Sequence, residues 1–436
     1  MRHRLLIVVH GYPPTARAGA EIHAARCAAT LAEQGEDVRV LTFEAWKAGP
    51  LTPEDTVERG VLVRRLSGDP TAGQDAFRAS YASEGMARAM RDFVKDWRPD
   101  LVYLFSGYLM SSTIVRTAAE MRVPVVINLT DYWWFCHQIN LLVPSGGRCD
   151  GPWAAGCTRC QAEQRRRWRL PAAAMPGAAR VFWRAAEHVP LAGGVLGFDA
   201  TRERAEVLEA AMGQVSAFIA PSRYLGEFYR RHGVAQDRIH VIRQGLEVSG
   251  HPGKVPSGHM RFAFMGQLKA HKGVMTLLDA WGRLKGPRPR TLTLWGSAAG
   301  EEAFGERVRQ ITAKLDGVEW RGAFSPAEVW RVLASTDVMI IPSLWVENSP
   351  NVILESQAMQ VPLVGSNIGG IAELITHERD GLLFETGSAV DLAIQLQRLL
   401  DEPGLREQLS RSAPPVRTVA DEMADLTRLF RRFLPA

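Results

Sequence analysis

Cysteine is scarce in this chain: five in 436 residues, four of them between residues 136 and 160. So uneven a spread excludes a disulfide framework and points to a reducing, cytoplasmic setting. Long apolar runs are missing too. No stretch approaches the ~20 residues that a membrane-spanning helix needs. The run Leu5 to Val9 is too short for the core of a signal peptide, and no small-residue cleavage site follows it. Neither sign of charge is in large excess. A net charge of +5 on a chain of this length does not imply a nucleic-acid partner. The GxGxxG dinucleotide fingerprint does not occur, which argues against an oxidoreductase even though Glu44 follows the second strand where a ribose-binding acid would sit.

What is present is an α/β grammar written twice. With 46% hydrophobic and 23% charged residues the composition is that of a globular protein, and the length calls for two domains. "LLIVVH" (5–10) reads as a strand buried on both faces, as in a parallel sheet. A Gly- and Pro-bearing loop, the helix "AEIHAARCAATLAEQG" and the strand "DVRVLTF" follow, with Cys27 inside the helix as a core residue. Further strands are expected at 100–105, 124–131, 215–222 and 238–245. A Gly/Pro/Ser-rich stretch at 246–259 then reads as a linker. Beyond it the pattern restarts with strands in "RFAFMG", "TLTLWG", "VEWRG", "VMIIPS" and "PLVGSN". The expectation is two facing, Rossmann-like, doubly wound domains with the active site in the cleft between them. Their bounds are 1–245, with an insertion over about 132–200, and 260–416; a final helix in 417–436 would pack back on the first domain.

Three stretches lie at strand ends, where this architecture binds ligands. In "ARAGAE" (16–21), Gly19 lets the backbone approach a ligand, and the helix N–H groups after it suit a phosphate. In "GQLKAHKG" (266–273), Gly266 ends a strand and Lys272 precedes the next helix. A cation there opposes the helix dipole, which favours a role in neutralising a diphosphate. In "ENSPNVILE" (347–355), Ser349 is expected to cap a helix with Pro350 at its first position. The N–H groups of Asn351 and Val352 would then form an anion site. Eight residues along a helix turn it by ~80°, so two Glu on one helix would not share a face. Glu347, however, precedes the helix, and Glu347 and Glu355 could flank one ligand, each accepting from hydroxyls.

Paired Glu with seven residues between them, after a strand ending in Pro-Ser, resembles the signature of glycosyltransferase family 4, retaining transferases of GT-B fold. The likeness runs along nearly the whole chain. "ARAGAE" resembles the family's Gly-Gly-x-Glu loop, with Ala18 in the first Gly position. "LAEQGEDVRVLT", "VIRQGLE" (241–247), "GQLKAHKG" and "GGIAELITHERDGLLF" (369–384) resemble its other segments. The resemblance implies that Glu347 contacts the donor sugar near the reacting carbon and that Glu355 binds ribose hydroxyls. It implies that Lys272, with the N–H groups near Asn351 and Val352, holds the diphosphate, and that Gly19 approaches the same phosphates. No Asp-x-Asp occurs, in keeping with a family in which positive charge and a helix dipole replace a metal ion, so no cofactor is expected for catalysis. Gln267 stands where many members carry Arg, so charge compensation is weaker or comes from elsewhere, with Arg17 a candidate. Thr130 stands where many carry His before the equivalent of Asp131; Asp131 would meet the acceptor or serve only at the strand end.

Cys136, Cys149, Cys157 and Cys160 fall as C-x12-C-x7-C-x2-C in a Gly-rich stretch. They are candidate ligands of a structural zinc, against the alternatives of buried thiols or a redox-labile pair. Four thiolates would leave no open position for a catalytic metal. The segment 161–190 is rich in Arg and carries Trp168, Phe182 and Trp183. It suggests contact with an anionic membrane surface or, equally, a solvated helical insertion with its aromatics packed inward. The sequence therefore predicts transfer of a sugar from a nucleotide-sugar donor to a hydroxyl of a glycan or lipid-linked acceptor, in cell-surface polysaccharide or glycolipid synthesis. The protein would act in the cytoplasm or at the inner face of the membrane. A nucleotide-sugar epimerase and a non-catalytic nucleotide- or glycan-binding protein are the alternatives on the same fold.

Overall fold

The structure is a computed structural model. It describes residues 2–435 except 17, 150, 153, 190, 191, 249, 287 and 288. The chain divides into two compact units. One holds Met1–Pro221, Gly226–Ile242 and Met423–Ala436; the other holds Ser222–Leu225 and Arg243–Glu422.

The first unit is built on an eight-stranded sheet of β1 (Arg4–Val9), β2 (Asp37–Trp46), β3 (Thr52–Glu58), β4 (Val61–Gly68), β5 (Leu101–Phe105), β6 (Val125–Asn128), β7 (Ala217–Ala220) and β8 (Ile239–Val241). Their spatial order is β3-β4-β2-β1-β5-β6-β7-β8. All neighbours are parallel except the β3–β4 pair, which is antiparallel. The central strands are continuous aliphatic runs because helices cover both faces: Leu6, Ile7, Val8 and Val9 are fully buried. The order reverses between β1 and β5, so the crevice for a ligand opens at their carboxyl ends, beside His10 and Ser106. Among the described residues, five helices lie between Ala154 and Gly213, the last of them running beyond the expected insertion at about 132–200. Phe430, on the last helix Val419–Phe430, sets its ring 5.1 Å from that of Tyr103 in this unit.

The second unit has β9 (Met260–Met265), β10 (Arg290–Trp295), β11 (Val318–Gly322), β12 (Val338–Ile341), β13 (Leu363–Ser366) and β14 (Gly381–Phe384). Their order is β11-β10-β9-β12-β13-β14, all parallel. This is the doubly wound order, reversing between β9 and β12. One core of Phe262, Leu292, Ile340, Val364, Leu382 and Leu396 runs beneath it. The two-domain α/β expectation is met in both sheets. Two elements are additions to it: the β3–β4 hairpin, and β14 as a sixth strand. Among the described residues no helix is long and apolar enough to cross a membrane.

Candidate functional site

The crevice at the switch point of the second sheet gathers most of the expected donor-site residues. β12 ends in Pro342 and Ser343, and the loop that follows carries Glu347, only 7% exposed. Its Oε1 accepts from Lys272 Nζ at 2.6 Å and from Ser343 Oγ at 2.9 Å. Lys272 arrives on the loop after β9 and also lies 5.2 Å from the centre of the Trp345 ring. The ammonium is therefore held by a carboxylate on one side and an aromatic face on another. His271 beside it adds no charge at neutral pH. Burial first, then the Lys272 charge, push its pKa down to about 4.

Backbone contacts fix these two loops together. Leu344 N donates to His271 O at 2.8 Å. Gly273 has φ +74, and a Cβ there would lie 1.7 Å from the carbonyl oxygen of Pro342. Only glycine allows the Lys272 loop to cross the end of β12 this closely. The Gly369–Gly370 pair does the same from the β13 side. Gly370 N donates to Glu347 O at 2.7 Å, and a Cβ on Gly370 would sit 1.8 Å from the carbonyl oxygen of Asn348. The Glu347 loop is thus set by two close glycine contacts and backbone bonds, leaving little room to shift.

The capping expectation for Ser349 is not met. The helix is Asn351–Ala358, its N-cap is Pro350 (φ −64, ψ 123), and no side chain caps it. The cause is local: Pro350 is itself extended, with ψ 123, so the helix starts at Asn351, one residue later than a Ser349 cap requires. Ser349 Oγ is instead buried without a hydrogen-bond partner, and so is Trp345 Nε1. The first intrahelical bond runs from Ile353 N to Pro350 O at 3.0 Å, which leaves the N–H groups of Asn351 and Val352 outside the helix ladder. Uncapped N–H groups, a lysine and two unsatisfied buried donors on one loop suit an anion that also carries hydroxyls. Glu355, half-buried, lies one turn into the same helix. Gly266 closes the array: its N donates to Trp295 O at 3.0 Å, while Gln267 is exposed. Sequence reasoning missed Ser343, Trp345 and His271, whose signal was only their place in the same two strand-end loops.

Glu373 follows the Gly-Gly pair and is nearly buried. It accepts from Arg223 N at 3.1 Å, Tyr224 N at 2.9 Å and Arg243 at 2.8 Å. Arg223, Tyr224 and Arg243 belong, like Glu373, to the second unit, so these bonds tie the segment Ser222–Leu225 to its own unit.

The two other expected residues, Gly19 and Asp131, belong to the first unit. Gly19 opens the helix Gly19–Glu33, whose N-cap Ala18 offers no side-chain acceptor. Arg17 lies outside the described residues. Asp131 follows β6 and is buried. Its carboxylate accepts from Trp133 N at 2.8 Å and from Thr130 Oγ1 at 3.2 Å. Burial pushes its pKa up, and the Trp133 N–H, Ser106, His10 and Thr130 partly offset that. Near it, His10 lies 3.4 Å from Glu21 and sets its ring edge-on to Tyr108.

The four clustered cysteines are thiols rather than disulfides, with Cys136 and Cys160 buried. Burial, then the charges of Cys136, Cys149 and Cys157, push the Cys160 thiol up, so the sulfurs are near enough to repel as thiolates. Among the described residues, however, no three of these sulfurs lie within 4.8 Å of one another. A closed tetrahedral site with Zn–S of about 2.3 Å would bring them to about 3.8 Å. The donor chemistry suits a thiophilic cation; the spacing is looser than a filled site.

Two family models match the chain. "Glycosyl transferases group 1" covers residues 259–402, and "Glycosyl transferase 4-like domain" covers residues 18–182. The chain is a glycosyltransferase. It is 25% identical to a glycogen synthase of Mycobacterium tuberculosis over 94% of its length and 89% of that protein's. It is 28% identical to a D-inositol 3-phosphate glycosyltransferase of Pseudarthrobacter chlorophenolicus over 43% of this chain and 48% of that one. Its fold, GT-B, is that of solved glycosyltransferases. The Anabaena protein HepE in complex with UDP and glucose superposes with TM-score 0.66 at 15% identity, over 99% of this transferase and all of that chain. Sucrose-phosphate synthase from Thermosynechococcus elongatus gives 0.68 at 16% identity, over 99% of each chain. The glycine contacts, Lys272 and Glu347 all lie within the residues matched by the first of the two family models.

Proposed function

We propose that this glycosyltransferase is a retaining enzyme of family 4. It moves a sugar from a nucleotide diphosphate donor to an acceptor hydroxyl, in synthesis of a cell-surface polysaccharide or glycolipid. The observation that carries this reading is the Lys272–Glu347–Ser343 group, held at the strand switch point beside an uncapped helix start. The diphosphate lies against Lys272 and the N–H groups of Asn351 and Val352, near Gly266 and the backbone of Gln267. Gly19, which opens a helix of the first unit, is a further phosphate-contact candidate. Glu355 takes the ribose hydroxyls, Ser349 contributes its unused donor, and Glu347 faces the sugar. Solved relatives of this fold hold UDP and UDP-glucose, which supports a nucleotide-sugar donor.

Oε1 of Glu347 is engaged by Lys272 and Ser343, which favours orientation and charge over nucleophilic attack. Its role is orientation and charge. In the transfer, the bond from the anomeric carbon to the diphosphate oxygen breaks, and the electron pair leaves with the nucleoside diphosphate. The acceptor oxygen bonds to that carbon on the same face, and its proton passes to the departing phosphate. Lys272 and the helix N–H groups stabilise the charge that develops there. Asp131 meets the acceptor. For the cysteines we propose a structural zinc held by Cys136, Cys149, Cys157 and Cys160, supported by their mutual electrostatic influence. The test is a panel of nucleotide sugars assayed for hydrolysis and transfer, repeated with Glu347→Ala. Transfer that survives intact in the variant with the true donor overturns the site assignment.

A further inference from the structure

The helices Arg166–Ala174 and Pro176–Ala186 form a hairpin joined at Met175. Its inner face is an aromatic cluster. Trp183, 2% exposed, packs with Ala186, Ala155 and Phe198, and Trp168 sets its ring 5.4 Å from that of Trp183. The aromatics are thus largely spent on holding the hairpin to the domain. That should leave a polar outer face. Instead Leu170 is 54% exposed, Met175 61% and Val181 69%, and Phe182 is also open to solvent. Leu170 comes two residues after the inward Trp168, about 200° round the helix, so it lies on the outward side. Met175 stands at the tip.

Residues 164–186 also contain six Arg and no Asp or Glu. Four of them, Arg165, Arg166, Arg167 and Arg169, crowd the start of the first helix and are exposed. Arg180 and Arg184 flank Val181 on the second and reach a cavity of about 210 Å³ at the hairpin's base, lined also by Arg148 and Arg159. A second copy of this chain would meet this patch with like charge. A neutral protein groove would offer no counter-charge to Arg165, Arg166, Arg167 and Arg169. An anionic bilayer satisfies both features: lipid phosphates take the arginines, and the apolar tip enters the headgroup boundary.

We propose that this hairpin docks the enzyme on an anionic membrane surface, with Leu170, Met175 and Val181 as the inserted residues and the arginines as the collar. The observation is independent of the donor site, so the two readings fail separately. The experiment is co-sedimentation of the full chain with phosphatidylcholine vesicles, with and without about 30 mol% phosphatidylglycerol. Binding is expected only with the anionic lipid and should be lost at high salt, where screening is short-ranged. Arg166→Glu with Arg167→Glu and Arg169→Glu should lower partitioning about a hundredfold or more. Met175→Ser with Val181→Ser should weaken it about tenfold while leaving its salt dependence. Donor hydrolysis and thermal midpoint should stay at the parent values in both variants. The proposal is overturned if the parent chain fails to bind, if it binds neutral vesicles equally well, or if the charge-reversed chain still binds. It is also overturned if the serine variant proves to have broken a dimer in sedimentation velocity.

Discussion

Lys272 Nζ sits 2.6 Å from Glu347 Oε1, at a carboxylate oxygen that also accepts from Ser343. Before a donor arrives, then, the cation that would face the diphosphate is held in place by the acid that would face the sugar. The pair is a positioned charge with its counterion, and diphosphate would compete with Glu347 for Lys272. Lys272→Ala should therefore lower kcat by about 10²–10³, the cost of one removed charge-stabilising group. Stability should fall by about 1–3 kcal/mol, because Glu347 is left buried with only Ser343 as partner. Steady-state kinetics and a denaturant titration check the two effects. An unchanged kcat would remove Lys272 from the chemistry.

Gly273 and Gly370 carry no chemistry, yet should be as sensitive as the charged pair. Gly273→Ala forces a Cβ into the left-handed region and 1.7 Å from Pro342 O; Gly370→Ala places one 1.8 Å from Asn348 O. Backbone must move in both, and what moves carries Glu347. Gly273→Ala should cost about 1–3 kcal/mol for the strained position alone, and Gly370→Ala about as much through the overpacking. Activity should fall further than stability implies, by at least tenfold in kcat/KM at a temperature where both variants are fully folded. Circular dichroism and kinetics on the same samples test this. A variant with lowered thermal midpoint and parent kcat/KM would show that the Glu347 loop does not depend on the contact.

Glu373 gives a test away from the chemistry. It accepts the backbone N–H groups of Arg223 and Tyr224, as well as Arg243. Glu373→Ala should cost about 1–3 kcal/mol, since a nearly buried charge-assisted cap is lost. Hydrogen exchange should accelerate at 223–225 first. Uniform exchange along the helix Arg223–Arg231 would assign the cap elsewhere.

What could be read from sequence divides along physical lines. Buried parallel strands such as Leu5–Val9 announce themselves because both faces need aliphatic residues. β3, "TPEDTVE", is polar and solvent-facing, held by pairing with β4 rather than by its own pattern, so periodicity passes it over. That Glu347, Lys272 and Asn351 lie in strand-end loops or at a helix start was legible, because the strands before them are apolar runs that end sharply. Ser343 and Trp345 were not, since nothing local says that a serine will meet Glu347 or that an indole will lie by Lys272. Ser349 was misread as a cap because Ser-Pro has the composition of a cap and first turn, while here Pro350 stays extended and the helix begins only at Asn351.

The cysteine cluster is decided by metal analysis. The Cys160 thiol is pushed up by burial and by its three neighbours, so without a cation it holds its proton at neutral pH. Zinc must displace protons, and its affinity should therefore weaken as pH falls from 8 to 6. The purified chain should carry about one equivalent per molecule, and Cys160→Ser should lose it with a lowered thermal midpoint. A metal-free chain at every pH, with the thermal midpoint unmoved in Cys160→Ser, would leave four unliganded thiols instead.

Asp131 offers a prediction in which stability and function pull apart. Burial raises its carboxyl above the ordinary aspartate value, more than the Trp133 N–H and the neighbouring hydroxyls lower it. The folded state therefore keeps its proton to higher pH than the unfolded one. Between the two values the native chain binds more protons, so this group's contribution to stability falls as pH rises through the window. Asp131→Asn keeps an acceptor for the Trp133 N–H and removes the titration. Its thermal midpoint should lose that decline, giving a flatter profile above the usual carboxylate range. If Asp131 also meets the acceptor hydroxyl, the same variant should transfer sugar at least tenfold more slowly while hydrolysing the donor at the parent rate. A flattened stability profile with unchanged transfer would make Asp131 a strand-end residue and nothing more.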